Sequence, residues 1–213
     1  MSGGVAGAVQ ESNQQCDGNA SVGGTVAACP VRLVLTIQRI KEWAKDAEAE
    51  TANAQQGGTI AEFKLERIAA GKVTVPVTGF MLEAAGPSSK KRGGDERVAP
   101  GTFGMIKNPG AKGPYRLIQT SRSLAQAVFG TRGLVNIHIG NFPVDLEGCF
   151  CPGESWTDHK THPSVSSSGP KLRALQAAIE ADAVKESQTT YDGYDDYNTS
   201  YYSNVTVIVR EIA

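Results

Sequence analysis

The chain has 213 residues and a mass of 22.5 kDa, enough for one sizeable core, and 21 Lys and Arg against 22 Asp and Glu leave it almost neutral. So balanced a charge supplies no field to steer it to nucleic acid or an anionic membrane. No run reaches the roughly 18 apolar residues of a spanning helix, so neither nucleic acid binding nor membrane insertion is expected. The 24 Gly and 10 Pro favour strands joined by turns over a helical bundle.

Residues 1–30 carry Glu11 and Asp17 but no Lys or Arg, and lack the basic start and apolar stretch of a secretory signal. They read as a flexible segment ahead of a single domain over 31–213. A chain made in the cytoplasm without such a signal needs other machinery to leave its cell. Cys16 and Cys29 lie near enough in sequence to bridge, if geometry allows.

In residues 31–40, Val31, Leu33, Leu35 and Ile37 alternate with Arg32, Thr36 and Gln38, the period of a half-buried strand. Residues 42–56, rich in Ala and Glu, fit a short helix or a mobile loop. Strands are predicted over 59–68 and 73–83, joined by Ala69-Ala70-Gly71-Lys72 as a hairpin. Residues 86–97, with Lys90, Lys91 and Arg92, read as an exposed, mobile loop. Strands over 101–108 and 115–120 flank the turn Asn108-Pro109-Gly110, and Ser121 is placed to cap a helix burying Leu124, Val128 and Phe129. A further strand over 133–139 carries His138 to its end. Beyond Cys151 periodicity is lost until Gly169-Pro170 opens a helix to about 185, with Leu172, Leu175, Ile179 and Ala183 on one face. Residues 191–202 hold five of the six tyrosines among Asp192, Asp195 and Asp196, and read as an exposed loop or interaction strip. Residues 204–212 close the chain as a strand, with Val205, Val207 and Val209 on one side. The expected fold is mainly β, a strand-rich sandwich or barrel with a C-terminal helix and a shorter one near Leu124.

The densest chemistry lies between His138 and Cys149, eleven positions apart. A neutral thiol is a poor nucleophile, and an imidazole can act as its base near neutral pH. Gly148 lets the backbone approach a substrate, and the amides of 148–150 are candidate oxyanion donors. Asp145 or a backbone carbonyl is the candidate partner that fixes the imidazole tautomer.

Leu82-Glu83, Ala99-Pro100-Gly101-Thr102-Phe103, His138 to Asn141 and Asp145 to Cys149 together are similar to a bacterial family of small domains of unassigned function, found in phage and secretion-system settings. That pattern more distantly resembles the L,D-transpeptidase catalytic domain. The resemblance implies Cys149 as nucleophile and His138 as base, assisted by Gly148 and Asp145, with Asn141, Glu147 and Glu83 near substrate and no cofactor or metal. It implies a peptidoglycan stem peptide as substrate and a thioester intermediate, resolved by an amine in transpeptidation or by water in L,D-carboxypeptidation. Leu146-Glu147 and Phe150-Cys151 depart from the residues that flank Gly-Cys in those enzymes. Without a signal peptide, such an enzyme fits an antibacterial effector of type VI kind, delivered by a secretion apparatus to a rival's periplasm and countered by an immunity protein.

Two other readings stand beside it. Cys149, Cys151, His159 and His162 are ligand types that zinc accepts. Alternatively the domain is a non-catalytic structural or apparatus module in which His138 and Cys149 only stabilise a turn.

Overall fold

The computed structural model describes residues 30–91, 96–108, 110 and 113–212. The N-terminal segment with Cys16 and Cys29, and the centre of the basic loop, lie outside them. The fold is mainly β, as expected, and its main sheet closes into a barrel of eight strands.

The first strand, β1 (Arg32–Trp43), pairs antiparallel with β2 (Gly58–Ala69), which pairs with β3 (Lys72–Glu83). Alternation builds these strands: in β2, Phe63 and Leu65 are buried while Glu62 and Lys64 are exposed. The β2–β3 hairpin turns on Ala70 and Gly71, with φ of 48° and 72°, the positive pair that matches strand twist. Between β1 and β2 the undecided segment resolves into a short helix, α1 (Ala52–Gln56), capped by Thr51, whose hydroxyl accepts from the Ala54 amide.

The barrel continues through β4 (Gly101–Lys107), β5 (Tyr115–Ile118), β6 (Asn136–Ile137), β7 (Phe150–Gly153) and β12 (Val205–Arg210). Its cyclic order is β4-β12-β1-β2-β3-β7-β6-β5, closed by the β4–β5 pairing. The last strand runs parallel to the first, with Leu33 opposite Val205 and Ile37 opposite Val209. Side chains fill an eight-strand barrel of this size. Here Leu33, Leu35, Phe63, Met81, Phe103 and Phe150 do so, joined by Leu172, Leu175 and Ile179 of α3 (Ser168–Glu180).

Three local expectations need correction. Helix α2 (Arg122–Phe129) forms with Ser121 as its cap, yet Leu124 is exposed, because the inward face is Ala125 and Phe129. The stretch after Cys151 holds the end of β7 and a small hairpin, β8 (Trp156–Asp158) with β9 (Pro163–Val165). Such three- and four-residue strands are too short to show a period. The tyrosine strip is no loop: β10 (Lys185–Tyr191) and β11 (Asp196–Tyr202) pair along their length, and Tyr197 and Tyr202 are buried. No helix among the described residues is long and apolar enough to cross a membrane.

Candidate active site

Strands β6 and β7 run parallel with Ile137 opposite Phe150, and the His138 amide donates to the Phe150 carbonyl at 2.9 Å. Ile137 and Phe150 point into the barrel core, so pleating turns their neighbours His138, Cys149 and Cys151 to the outer face. Parallel register carries His138 beside Cys151, whose Sγ lies 3.6 Å from Nδ1. The same Nδ1 is 2.7 Å from the Ile139 carbonyl oxygen. A carbonyl can only accept, so Nδ1 holds the proton and the basic lone pair sits on Nε2.

The two thiols occupy different surroundings. Cys149 donates to the Leu134 carbonyl at 3.6 Å. Cys151 belongs to an apolar cluster with Trp43, Ile60, Leu82, Leu146 and Val165. It is roofed by Gly140, where a Cβ would come 2.7 Å from its Sγ. Cys149 is 2 % exposed and Cys151 is fully enclosed.

Over His138 lies an open cleft of about 530 Å³, lined by Gly113, His138, Gly140, Asn141, Asp145 and Ser168 among others. Gly113 packs so closely that a Cβ would meet the Ile137 carbonyl at 2.3 Å and His138 Cβ at 2.5 Å. The cleft wall from 139 to 145 is held by Asp145, whose Oδ2 accepts from the amides of Asn141 (2.7 Å) and Phe142 (3.0 Å). Ser168 accepts from the Gly140 amide at 3.1 Å and ties the same wall to the first turn of α3. That turn brings the positive end of a helix to the cleft.

Of the residues expected from sequence, His138, Asn141 and Asp145 are brought together at the cleft. Asp145 accepts from loop amides, while the imidazole leans on a carbonyl, the other candidate partner for it. Gly148, Cys149, Glu147 and Glu83 do not line the cleft. Glu147 is exposed. Glu83 is fully buried and accepts from Arg39 Nε (2.9 Å), Arg39 Nη2 (2.8 Å) and the Val98 amide (2.9 Å). Burial pushes its carboxyl up, against the pull of Arg39.

Sequence reasoning missed Gly113, Ser168 and the buried Arg132, whose Nη2 donates to the Gly148 carbonyl at 2.9 Å. None of the three sits in a motif; Gly113 and Ser168 come from distant stretches of chain, and Arg132 from just ahead of the strand that carries His138. His159 and His162 stack on each other, ring centroids 4.9 Å apart, beside Phe142. Among the described residues no group of three or more His, Cys, Asp or Glu converges as metal ligands would. Comparison of the chain with protein-family models, with curated proteins and with solved structures found no match.

Proposed function

We propose that the protein is a cysteine-dependent acyl-transfer enzyme of L,D-transpeptidase or L,D-carboxypeptidase type, acting on peptidoglycan stem peptides. The observation that carries the reading is the His138 imidazole at the cleft, its Nδ1 on the Ile139 carbonyl and 3.6 Å from the Cys151 thiol, on the strand that begins just after Cys149. The motif resemblance supplies the substrate class. The first turn of α3 at the cleft favours an anionic group there, as a stem-peptide carboxylate is.

In this reading Nε2 of His138 takes the Cys149 proton, and the sulfur attacks the carbonyl of the stem diamino acid. The carbonyl electron pair moves to oxygen, then returns as the bond to the terminal D-alanine breaks, and His138 gives its proton to the departing amine. A thioester remains, and an amine or water releases it. The motif resemblance assigns Cys149 as the nucleophile, whereas Cys151, 3.6 Å from His138 Nδ1, is fully enclosed in the apolar cluster. Delivery by a secretion apparatus into a target periplasm, with an immunity protein as counterpart, completes the effector reading.

A non-catalytic barrel module is the second reading, favoured by the burial of both thiols and by the place of Cys149 outside the cleft lining. Purified protein incubated with tetrapeptide muropeptides separates the two. Loss of one alanine mass identifies carboxypeptidation and a cross-linked dimer identifies transpeptidation. C149A and H138A should abolish either product while C151A retains it. Unchanged muropeptides with the folded wild type would refute the enzyme reading.

A further inference from the structure

Gly148 adopts φ +78°, and a Cβ on it would come 1.6 Å from Arg132 Nη2 and 2.6 Å from the Glu96 carbonyl oxygen. This glycine is therefore required by the guanidinium packed against it. Arg132 is 5 % exposed, and its own amide is anchored on the carbonyls of Lys90 (3.2 Å) and Phe129 (2.9 Å). Its Nη2 donates to the Gly148 carbonyl, and two residues on the Leu134 carbonyl accepts from the Cys149 thiol. One short segment, 132–134, thus grips both members of the Gly-Cys pair.

The only cis peptide among the described residues is Gly86–Pro87, so the Gly148–Cys149 peptide is trans. In a trans peptide the C=O and N–H point in opposite directions. Holding the Gly148 carbonyl on Arg132 aims the Cys149 N–H away from the guanidinium and prevents the peptide from turning. An amide fixed in advance stabilises a developing oxyanion without reorganising during the reaction.

We propose that Arg132 is a positioning residue for acyl transfer, locking the Gly148–Cys149 peptide so that the Cys149 amide serves as an oxyanion donor. The inference rests on the reading of Cys149 as nucleophile. It assigns a role to a buried cation six residues ahead of His138, outside the His–Cys motif.

Two electrophiles distinguish positioning from simple thiol reactivity. Iodoacetamide alkylates Cys149 by direct displacement: an S–C bond forms as the C–I bond breaks, iodide leaves, the thiol proton passes to water, and no oxyanion arises. With p-nitrophenyl acetate the S–C bond forms as the carbonyl pair moves to oxygen. That pair returns as the C–O bond breaks, p-nitrophenolate leaves, and the thiol proton passes through His138 to water. Both rates are read at Cys149 by fragment-resolved mass spectrometry on the full chain, for wild type, R132K and R132Q. R132K keeps the charge and R132Q removes it, while both lose the planar fork. The expected result is a fall of at least about tenfold in the ratio of acylation to alkylation in both variants, with R132K alkylation within about threefold of wild type.

An unchanged ratio in the folded variants would overturn the proposal. Unfolding of both variants would assign Arg132 to the fold alone and overturn it equally. The falling ratio with wild type inert towards muropeptides would keep this inference and remove the proposed substrate. Muropeptide turnover with an unchanged ratio would do the reverse.

Discussion

Changing Glu83 to Gln removes one charge from a pair sealed within the barrel wall. Both side chains are fully enclosed, and two of the three hydrogen bonds that Glu83 accepts come from the Arg39 guanidinium. Breaking a buried pair by removing one partner costs about 3–5 kcal/mol, because the other charge stays buried. Arg39 would keep the Val98 carbonyl at 2.6 Å and Glu211 at 3.2 Å, though the Glu211 carboxylate is 40 % exposed and so screened. The loss expected for E83Q is therefore near the lower limit, about 3 kcal/mol, and E83A should lose more because it also leaves a void. With total stability on the order of 5–15 kcal/mol, E83Q remains folded but with a much lower urea midpoint. Trp43 and Trp156 provide the fluorescence signal. The double variant R39M/E83L should recover most of the loss, since apolar residues of similar volume replace such pairs well. If E83Q stayed within about 1 kcal/mol of wild type and instead lost turnover, the carboxylate would be a substrate ligand and the structural account of it would fail.

D145A should loosen the cleft wall and cost about 1 kcal/mol, as loss of a capping carboxylate does. Hydrogen exchange at the Asn141 and Phe142 amides is the direct measurement, and unchanged protection would contradict the clamp. G148A forces a side chain into φ +78° and into Arg132 and Glu96. Calorimetry should show a loss of at least about 2 kcal/mol, and a wild-type melting temperature would rule out the packing described. Burial, aided by His159, holds the His162 imidazole below its ordinary value. The folded state then binds fewer protons than the unfolded chain, so this contribution is intact above the unfolded value near 6.5 and declines as pH falls through it towards the lower folded value. H162N should flatten the stability profile below pH 6.5, and an NMR midpoint for His162 above 6.5 would contradict the assignment.

The long strands were legible because one face of each is buried and the other wet: Leu33, Leu35 and Ile37 in β1, and Phe63 and Leu65 in β2, state their own period. The same period extends to Arg39 and Glu83, which follow Ile37 and Met81 on the inward face. Two opposite charges continuing two inward stripes are the sign in the sequence of a buried pair. The hairpin β10–β11 was hidden by composition, since aspartates and tyrosines read as a solvated loop while pairing on β4 and burial of Tyr197 and Tyr202 decide otherwise. At the site, the sequence showed His138 and the Gly-Cys pair but not how they are held. Arg132, Gly113 and Ser168 act through tertiary contacts that no local period or spacing encodes.

The most direct test of the central claim is to trap the acyl-enzyme. A tetrapeptide muropeptide is mixed with the protein, quenched in acid within seconds, and the mass of the whole chain is read before and after hydroxylamine. The account predicts an adduct equal to the muropeptide less its terminal D-alanine, carried on Cys149, removed by hydroxylamine and absent from C149A and H138A. Muropeptide turnover that persists in C149A, or no adduct together with no turnover in the folded wild type, would contradict it.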